Sequence, residues 1–572
     1  MSGQTPQNWP QTLPRHRWRR WTQRRWGRSG GGGRLGGASG LWMIGAVLIA
    51  GLVLLPVLSV LWLSIRPADN IWPHLLATTL PRYLGNSLLL MAAVGVLTAG
   101  IGTGAAWLVT MYRFPGQPLI QWALLLPLAV PAYVGAYALV DFLDYPGPVQ
   151  TLLRDSFGWT SARDYWFPPV RSRGGAVLVL SAALYPYVYL LARAAFREQS
   201  GAGYEVARAL GVGPWGRFWR VGLPLARPAI AAGAAVAMME TVNDFGVVDF
   251  FAVQTLTTGI FSVWLQAGNL GGAAQIASCM LVVVVGLVVI EKLGRRKARV
   301  AGAARGFRPV TAQVLAGWRG TLALVLCLLP FLAGFVLPVA VLLANAQNAG
   351  DWFAPGLGLA LWHTLSAGGV AALVTVAAGI FVVYGARLSG RRLPVLLLPV
   401  TAIGYAAPGA MLGIGILIPL AGFDNWLADG VLAVTGTDPG LLLTGTAAAL
   451  ILAYVVRFFA IAQGAADAAI ARISPSLPMA ARSLGRGPGG TLWAVHLPLI
   501  RASALSALLL VFVDCVKELP ATLLLRPFNY DTLATRVHAK ASLENLSGAA
   551  PAALTITLVG LVAVALLARA NR

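Results

Sequence analysis

Long apolar runs separated by short polar breaks fill most of this chain of 572 residues. In the first half they lie near 41–65, 86–111, 118–143, 174–195, 229–250 and 273–291. In the second half they lie near 320–344, 359–385, 393–421, 441–463, 500–525 and 549–569. Most reach the ~20 residues that a helix needs to cross a bilayer. They are continuously apolar rather than alternating, which favours helices over a barrel. The pattern therefore predicts an all-α membrane protein of about twelve transmembrane helices. Six runs per half return the chain to the side it left. The halves then form two parallel repeats about a pseudo-two-fold axis along the membrane normal.

One polar break is elaborate. "YEVARALGVGPWGRFWRVGLPLARP" runs from Tyr204 to Pro228, and "MAARSLGRGPGGTLWAVHLPLIRA" from Met479 to Ala502. A shift of 274 residues aligns 207–227 with 481–501, with 13 of 21 positions identical. Each copy reads as a short helix ended by a C-terminal glycine, Gly211 or Gly485. A Gly-Pro pair then blocks helical continuation, and Leu-Pro (Pro224 or Pro498) re-enters the bilayer. Arg227 and Arg501 fall at headgroup level. Routine charge on a solvated loop explains the arginines but not the repeated spacing. Two loops held to one geometry read better as docking elements for a two-fold partner.

Composition supports the membrane reading: 57% of residues are hydrophobic, 11% are charged and the mean hydropathy is +0.72. The net charge of +23 raises nucleic-acid binding, but its distribution argues against it. Residues 1–40 hold eight Arg and no acid, and 292–319 hold eight Lys or Arg and no acid. Both segments flank spans, and the positive-inside rule places them in the cytoplasm. No nucleic-acid partner is expected, since no recognition fold accompanies the charge. The loop 144–173 balances acids and bases, as an outer loop should. The arginine pairs before residue 41 precede a run too long for a signal-peptide core, so the first helix is expected to be retained. Cys279, Cys327 and Cys515 lie far apart inside apolar runs, as small core fillers. The resulting organisation is a basic cytoplasmic tail (1–40), a first half (41–291) with its loop at 196–228, a basic linker (292–318), and a second half (319–572) with its loop at 470–501. Both termini are expected in the cytoplasm.

At the repeated loops the chain resembles a known family. "EVARALG" followed by "LP" at this spacing is similar to the EAA loop of ABC-importer permeases, whose short coupling helix docks on an ATP-binding subunit. The stretches 126–150, 242–261 and 517–537 resemble fused, two-half permeases of ferric-iron importers. The resemblance implies a type I importer-like permease whose coupling loops contain Glu205, Ala207, Arg208, Gly211 and Pro224, and Ala481, Arg482, Gly485 and Pro498. It also implies two copies of an ABC ATPase subunit below and an extracytoplasmic binding protein above, in a bacterial inner membrane. The second loop departs from the family pattern: the position of Glu205 is held by Met479, so equal coupling of the two loops is in doubt. Thiamine, sulfate and polyamine permeases share the scaffold. The sequence contains no phosphate-binding loop and no Gly-Lys dipeptide, nor a His-Glu-x-x-His pair. ATP and magnesium are therefore expected on the partner, with no cofactor and no catalytic activity on this chain.

Intramembrane carboxylates are costly and so are functional candidates. Glu240 with Asp244, and Asp514 with Glu518, form i,i+4 pairs related by the same 274-residue shift, and each pair is expected on one helix face. Counted from Arg227 they lie ~20–25 Å along the helix, beyond the midplane. Four acids about one axis suit a hard, oxygen-seeking cation on a translocation pathway. Asp141, Asp144 and Asp249 would add to an outer vestibule. The alternative is structural: Lys517 neutralises Glu518 or Asp514, and the acids satisfy backbone donors at broken helices. The five histidines are scattered, so no metal site is assigned; His363 reads as a helix-start residue and His496 as a loop residue. Acids in the membrane also admit an ion-gradient-driven secondary transporter, which would need no docking loops.

Overall fold

The computed structural model describes residues 36–67, 69–296, 312–347, 352, 355–389, 398, 400–401 and 407–570. Most of the basic tail, residues 297–311 of the linker and the start of the 393–421 run lie outside them. Among these described residues, eleven helices are long and apolar enough to cross a membrane. They are α1 (Gly40–Ile65), α2 (Trp72–Met111), α5 (Arg173–Arg197), α7 (Pro214–Asn243), α10 (Leu270–Glu291), α11 (Trp318–Gln347), α12 (Leu357–Leu388), α13 (Gly409–Thr435), α14 (Ala447–Ala471), α16 (Pro488–Val516) and α19 (Leu546–Leu567). A further pair, α3 (Gln117–Ala129) and α4 (Ala132–Phe157), is together long and apolar enough but is bent by 95°, as a broken span or a re-entrant loop is; Pro127 and Pro131 interrupt the backbone ladder there. Short helices fill the breaks: α6 (Gly201–Ala209), α8 (Gly246–Phe250), α9 (Leu256–Phe261), α15 (Ser476–Ser483), α17 (Pro520–Leu525) and α18 (Leu533–Ser542).

The duplication seen in the loops extends through the fold. Helices α5 and α14 have bounds displaced by 274 residues at both ends. Capping boxes open α9 at Thr255/Thr258 and α18 at Thr532/Thr535. The N–H of Leu256 donates to Ser87 Oγ at 3.0 Å, and that of Leu533 to Thr364 Oγ1 at 2.9 Å. All of these pairs are offset by 277 residues, which fixes the correspondence of α2 with α12.

Each half sends its first span onto the other. Trp42 of α1 stacks on Phe381 of α12 with ring centroids 4.6 Å apart. A Cβ at Gly415 would stand 2.3 Å from the Pro56 carbonyl oxygen, so α1 and α13 touch backbone to backbone. Reciprocally, a Cβ at Gly334 of α11 would stand 2.3 Å from the Ala182 carbonyl oxygen of α5. Asn345 of α11 also donates to Asp141 of α4 at 2.8 Å. Small residues at such crossings let helices approach where no hydrophobic force separates protein from lipid.

Four of the five π-helical turns among the described residues stand directly before a Leu-Pro pair. They are Leu75–Thr79, Phe218–Gly222, Leu332–Val336 and Leu492–His496. In each, the leucine N–H donates to the carbonyl five residues back. The proline after it has no N–H, and its ring crowds the carbonyl four residues back; one wider turn relieves that crowding. His496 is therefore inside a helical span and buried, not in a loop. His363 lies within α12, past its first turn, stacked on Tyr530 at 3.8 Å.

Candidate functional site

The two repeated loops have one backbone design. In the first, the N–H of Val212 donates to Ala207 O at 2.9 Å and that of Gly211 to Arg208 O at 3.0 Å. In the second, Arg486 donates to Ala481 O at 3.1 Å and Gly485 to Arg482 O at 3.0 Å. This pair of bonds is the Schellman closure of a helix, which needs a left-handed residue after the last turn. Gly211 and Gly485 supply it with φ of 77° and 81°. A Cβ at either would meet nothing within 4 Å, so conformation and not space requires glycine there.

Ala207 and Ala481 face inward, while Glu205, Arg208, Arg482 and both glycines are exposed. Exposed apolar side chains sit beside them: Leu210 and Trp219 in the first loop, and their repeat equivalents Leu484 and Trp493 in the second. Each loop is braced from the same position of its half. Trp107 packs on Tyr204 and Phe218 at 6.0 and 5.1 Å. Its equivalent Tyr384 donates to Pro488 O at 2.7 Å and meets His496 edge-on at 5.1 Å. The first loop touches the linker through Arg217, which donates to Gln313 at 3.4 Å; there strand β2 (Gln313–Val314) pairs in parallel with β1 (Tyr112–Arg113) at the end of α2.

Deeper in the bundle, Glu240, Asp244, Asp514 and Glu518 line a single cavity of about 100 Å³ with Arg457 and Lys517. Its level follows from Ala183 on its wall, ten residues into α5 and fourteen from its end. At 1.5 Å per residue these are ~15 and ~21 Å, past the middle as seen from the loops. Asp141 and Asp249 are not on its wall. Asp141 accepts from Asn345, and Asp249 is exposed on α8.

The acids do not share one helix face in pairs. Helix α7 stops at Asn243 and the corresponding core of α16 at Val516, so Asp244 and Glu518 lie past the ends. There they cap the next short helices. Asp244 accepts from the N–H groups of Val247 and Val248 at 2.8 and 3.3 Å. Glu518 accepts from those of Ala521 and Thr522, both at 3.1 Å, and from Thr522 Oγ1 at 2.9 Å. A carboxylate satisfying two orphan donors at a helix start has a structural task of its own.

Both bases come from the second half. Arg457 Nη1 lies 3.4 Å from Glu518 Oε1, with the carboxylate fully buried, and Lys517 Nζ lies 2.9 Å from Asp514 Oδ1. Lys517 thus pairs with Asp514 and not with Glu518. A Cβ at Gly409 would stand 2.3 Å from Arg457 Nη1 and 2.7 Å from Glu518 Oε1, so this glycine makes room for the buried pair. The 274-residue shift places Ala183 opposite Arg457 and Asn243 opposite Lys517. Arg457 was missed from sequence; the signal was a lone base in the 441–463 run, which is costly in a membrane unless paired. Tyr133 OH and Asn243 Oδ1, buried without a protein partner, also face this region. The volume suits about three waters. Among the described residues, no three His, Cys, Asp or Glu converge closely enough to hold a metal ion.

Residues 96–299 match the family of binding-protein-dependent transport system inner membrane components. Over 491 residues the chain is 25% identical to the Fe(3+)-transport system permease protein FbpB 2 of Haemophilus influenzae, covering 85% of this chain and 89% of that one. It is 22% identical to the ferric transport system permease protein FbpB of Actinobacillus pleuropneumoniae over 78% of this chain and 64% of that one. The molybdenum transport system permease protein ModB of Escherichia coli is 28% identical over 204 residues, which is 34% of this chain and 86% of the relative. With eleven apolar helices of spanning length among the described residues, the chain is a multi-pass membrane protein, similar over most of its length to permeases of this kind.

Proposed function

We propose that this permease, an inner membrane component of a binding-protein-dependent transport system, carries ferric iron inward in an ATP-driven importer. The observation that carries the substrate is the similarity to ferric permeases through both halves, over 85% of the chain. The molybdenum relative matches little more than a third of it. The cavity agrees with a cation: four carboxylates outnumber two bases on its wall, a poor lining for an oxyanion such as sulfate or molybdate.

In this reading the loop-bearing face is cytoplasmic, as the basic segments require. Two copies of an ATPase subunit hold α6 and α15, and ATP with magnesium binds there. Closure of the ATPase pair favours one arrangement of the two halves over the other through these helices. An extracytoplasmic binding protein delivers iron to the opposite face, and the ion crosses between the halves past Glu240 and Asp514. The duplicated coupling loops favour this reading over a gradient-driven carrier, which has no use for them. Uptake of radiolabelled ferric iron, molybdate and sulfate in cells lacking the chain, with and without its restoration, tests the proposal. Loss and recovery of iron uptake alone is the expected result; unchanged iron uptake on deletion overturns it.

A further inference from the structure

We infer that a membrane phospholipid occupies a groove between α11 and the first half, one acyl chain inside it and its headgroup on Arg113 and Arg319. The groove encloses about 720 Å³ and is lined by Leu97, Gly100 and Gly104 of α2, Leu178 of α5, and Leu326 and Leu329 of α11. Its rim is open, with Leu97, Leu178, Leu326 and Leu329 all exposed. Water gains few partners on so apolar a wall, and in a bilayer the medium at such an opening is hydrocarbon. From Leu97 to Leu108 the lining follows eleven residues of α2, or ~16 Å of helix. That is about half of a ~30 Å hydrocarbon core, the reach of one leaflet's chain.

The repeat provides an internal comparison. With the 277-residue offset that relates α2 to α12, Gly104 corresponds to Phe381. Phe381 fills its site by stacking on Trp42 of the other crossing helix at 4.6 Å. In the first half a Cβ at Gly100 or Gly104 would meet nothing within 4 Å. The scaffold can close this crevice and does so once; the glycines keep the other copy open. Ser181 Oγ, buried and without a hydrogen-bond partner, also faces the groove.

Charge selects the headgroup. Arg113 lies five residues beyond Leu108, and Arg319 two helical turns before Leu326 on the same face of α11. The segments bearing them adjoin: Leu315 N–H donates to Arg113 O at 2.9 Å, and a Cβ at Gly320 would lie 3.3 Å from Pro115. Both arginines are exposed, at the level where a phosphate would sit above a buried chain.

The test uses the full permease in vesicles containing phosphatidylglycerol or phosphatidylcholine with a photoactivatable acyl chain. The expected result is labelling of peptides within 97–108 and 326–338, several-fold stronger with phosphatidylglycerol. Gly104→Phe, which copies the other half, should abolish that labelling. Arg113→Gln with Arg319→Gln should erase the headgroup preference while leaving chain labelling. If Gly104→Phe does not assemble, Gly100→Leu fills the same space from open surroundings and is expected to give the same loss. Labelling that persists in the filled variants overturns the site, and equal labelling by the two lipids in the unaltered protein overturns the headgroup assignment.

Discussion

At the residue scale, two positions carry sharp expectations. Gly211 and Gly485 are left-handed in open space, so any L-residue there costs ~1–3 kcal/mol of strain unless it tolerates that conformation. Gly211→Asp should abolish transport through the added charge at a docking turn. Gly485→Asp should impair it less, because Met479 already leaves that loop without the carboxylate of Glu205. Gly211→Asn, which tolerates the left-handed region, should keep more uptake than Gly211→Val; ATPase co-purification and uptake together measure this. Full transport in both aspartate variants would remove the reason for calling these loops docking elements. Arg457 is the second position. Removing it leaves Glu518 charged and buried, which costs ~3–5 kcal/mol. Arg457→Met should therefore lower the thermal midpoint of the purified permease sharply, and adding Glu518→Gln should recover part of the loss.

At the element scale, the four acids divide by what they touch. Asp244 and Glu518 cap α8 and α17, so Asp244→Asn and Glu518→Gln should reduce assembly before they reduce uptake per assembled complex. Glu240→Gln combined with Asp514→Asn removes no cap bond, although it takes from Lys517 its carboxylate partner at 2.9 Å, and should slow uptake by more than it lowers the yield of complex. A gel-filtration profile beside an uptake rate separates the two orders, and unchanged uptake in the second pair would place the acids off the ion's route. The spans, the repeat, the turn glycines and all four acids were legible in the sequence, because each depends on local pattern or on an offset that repeats. The break between the members of each acid pair was not. Glu240 and Asp244 have perfect helical spacing, and only the cap bonds made by Asp244 beyond the helix end reveal the interruption. The π turns were only half legible: four stand before a Leu-Pro pair, but Leu55-Pro56 and Leu329-Pro330 sit in α-helix without one. The crossing of α1 and α11 onto opposite halves left no periodic trace; it is decided by which glycines meet which carbonyls far away in the chain.

At the scale of the whole molecule, the faces make a testable pair. Leu210 and Val314 are exposed on the loop-bearing face and Trp166 on the other. With the three native cysteines replaced, a membrane-impermeant thiol reagent should label Trp166→Cys in intact cells but Leu210→Cys and Val314→Cys only after permeabilisation. Labelling of Val314→Cys from outside would invert the molecule and remove the ATPase from reach of its loops.

The unequal charges around the cavity have a consequence for how such a permease can diversify. Two identical subunits about a true two-fold axis present every central charge twice or not at all. Here one polypeptide encodes both halves, so Arg457 has Ala183 as its repeat counterpart and Lys517 has Asn243, all four on the wall of one cavity. Both bases of the cavity thus stand on the second half, and its charge is distributed unevenly between the two walls. Fusion thus makes each wall of the conduit separately heritable, and a single substitution can retune one wall without altering the other.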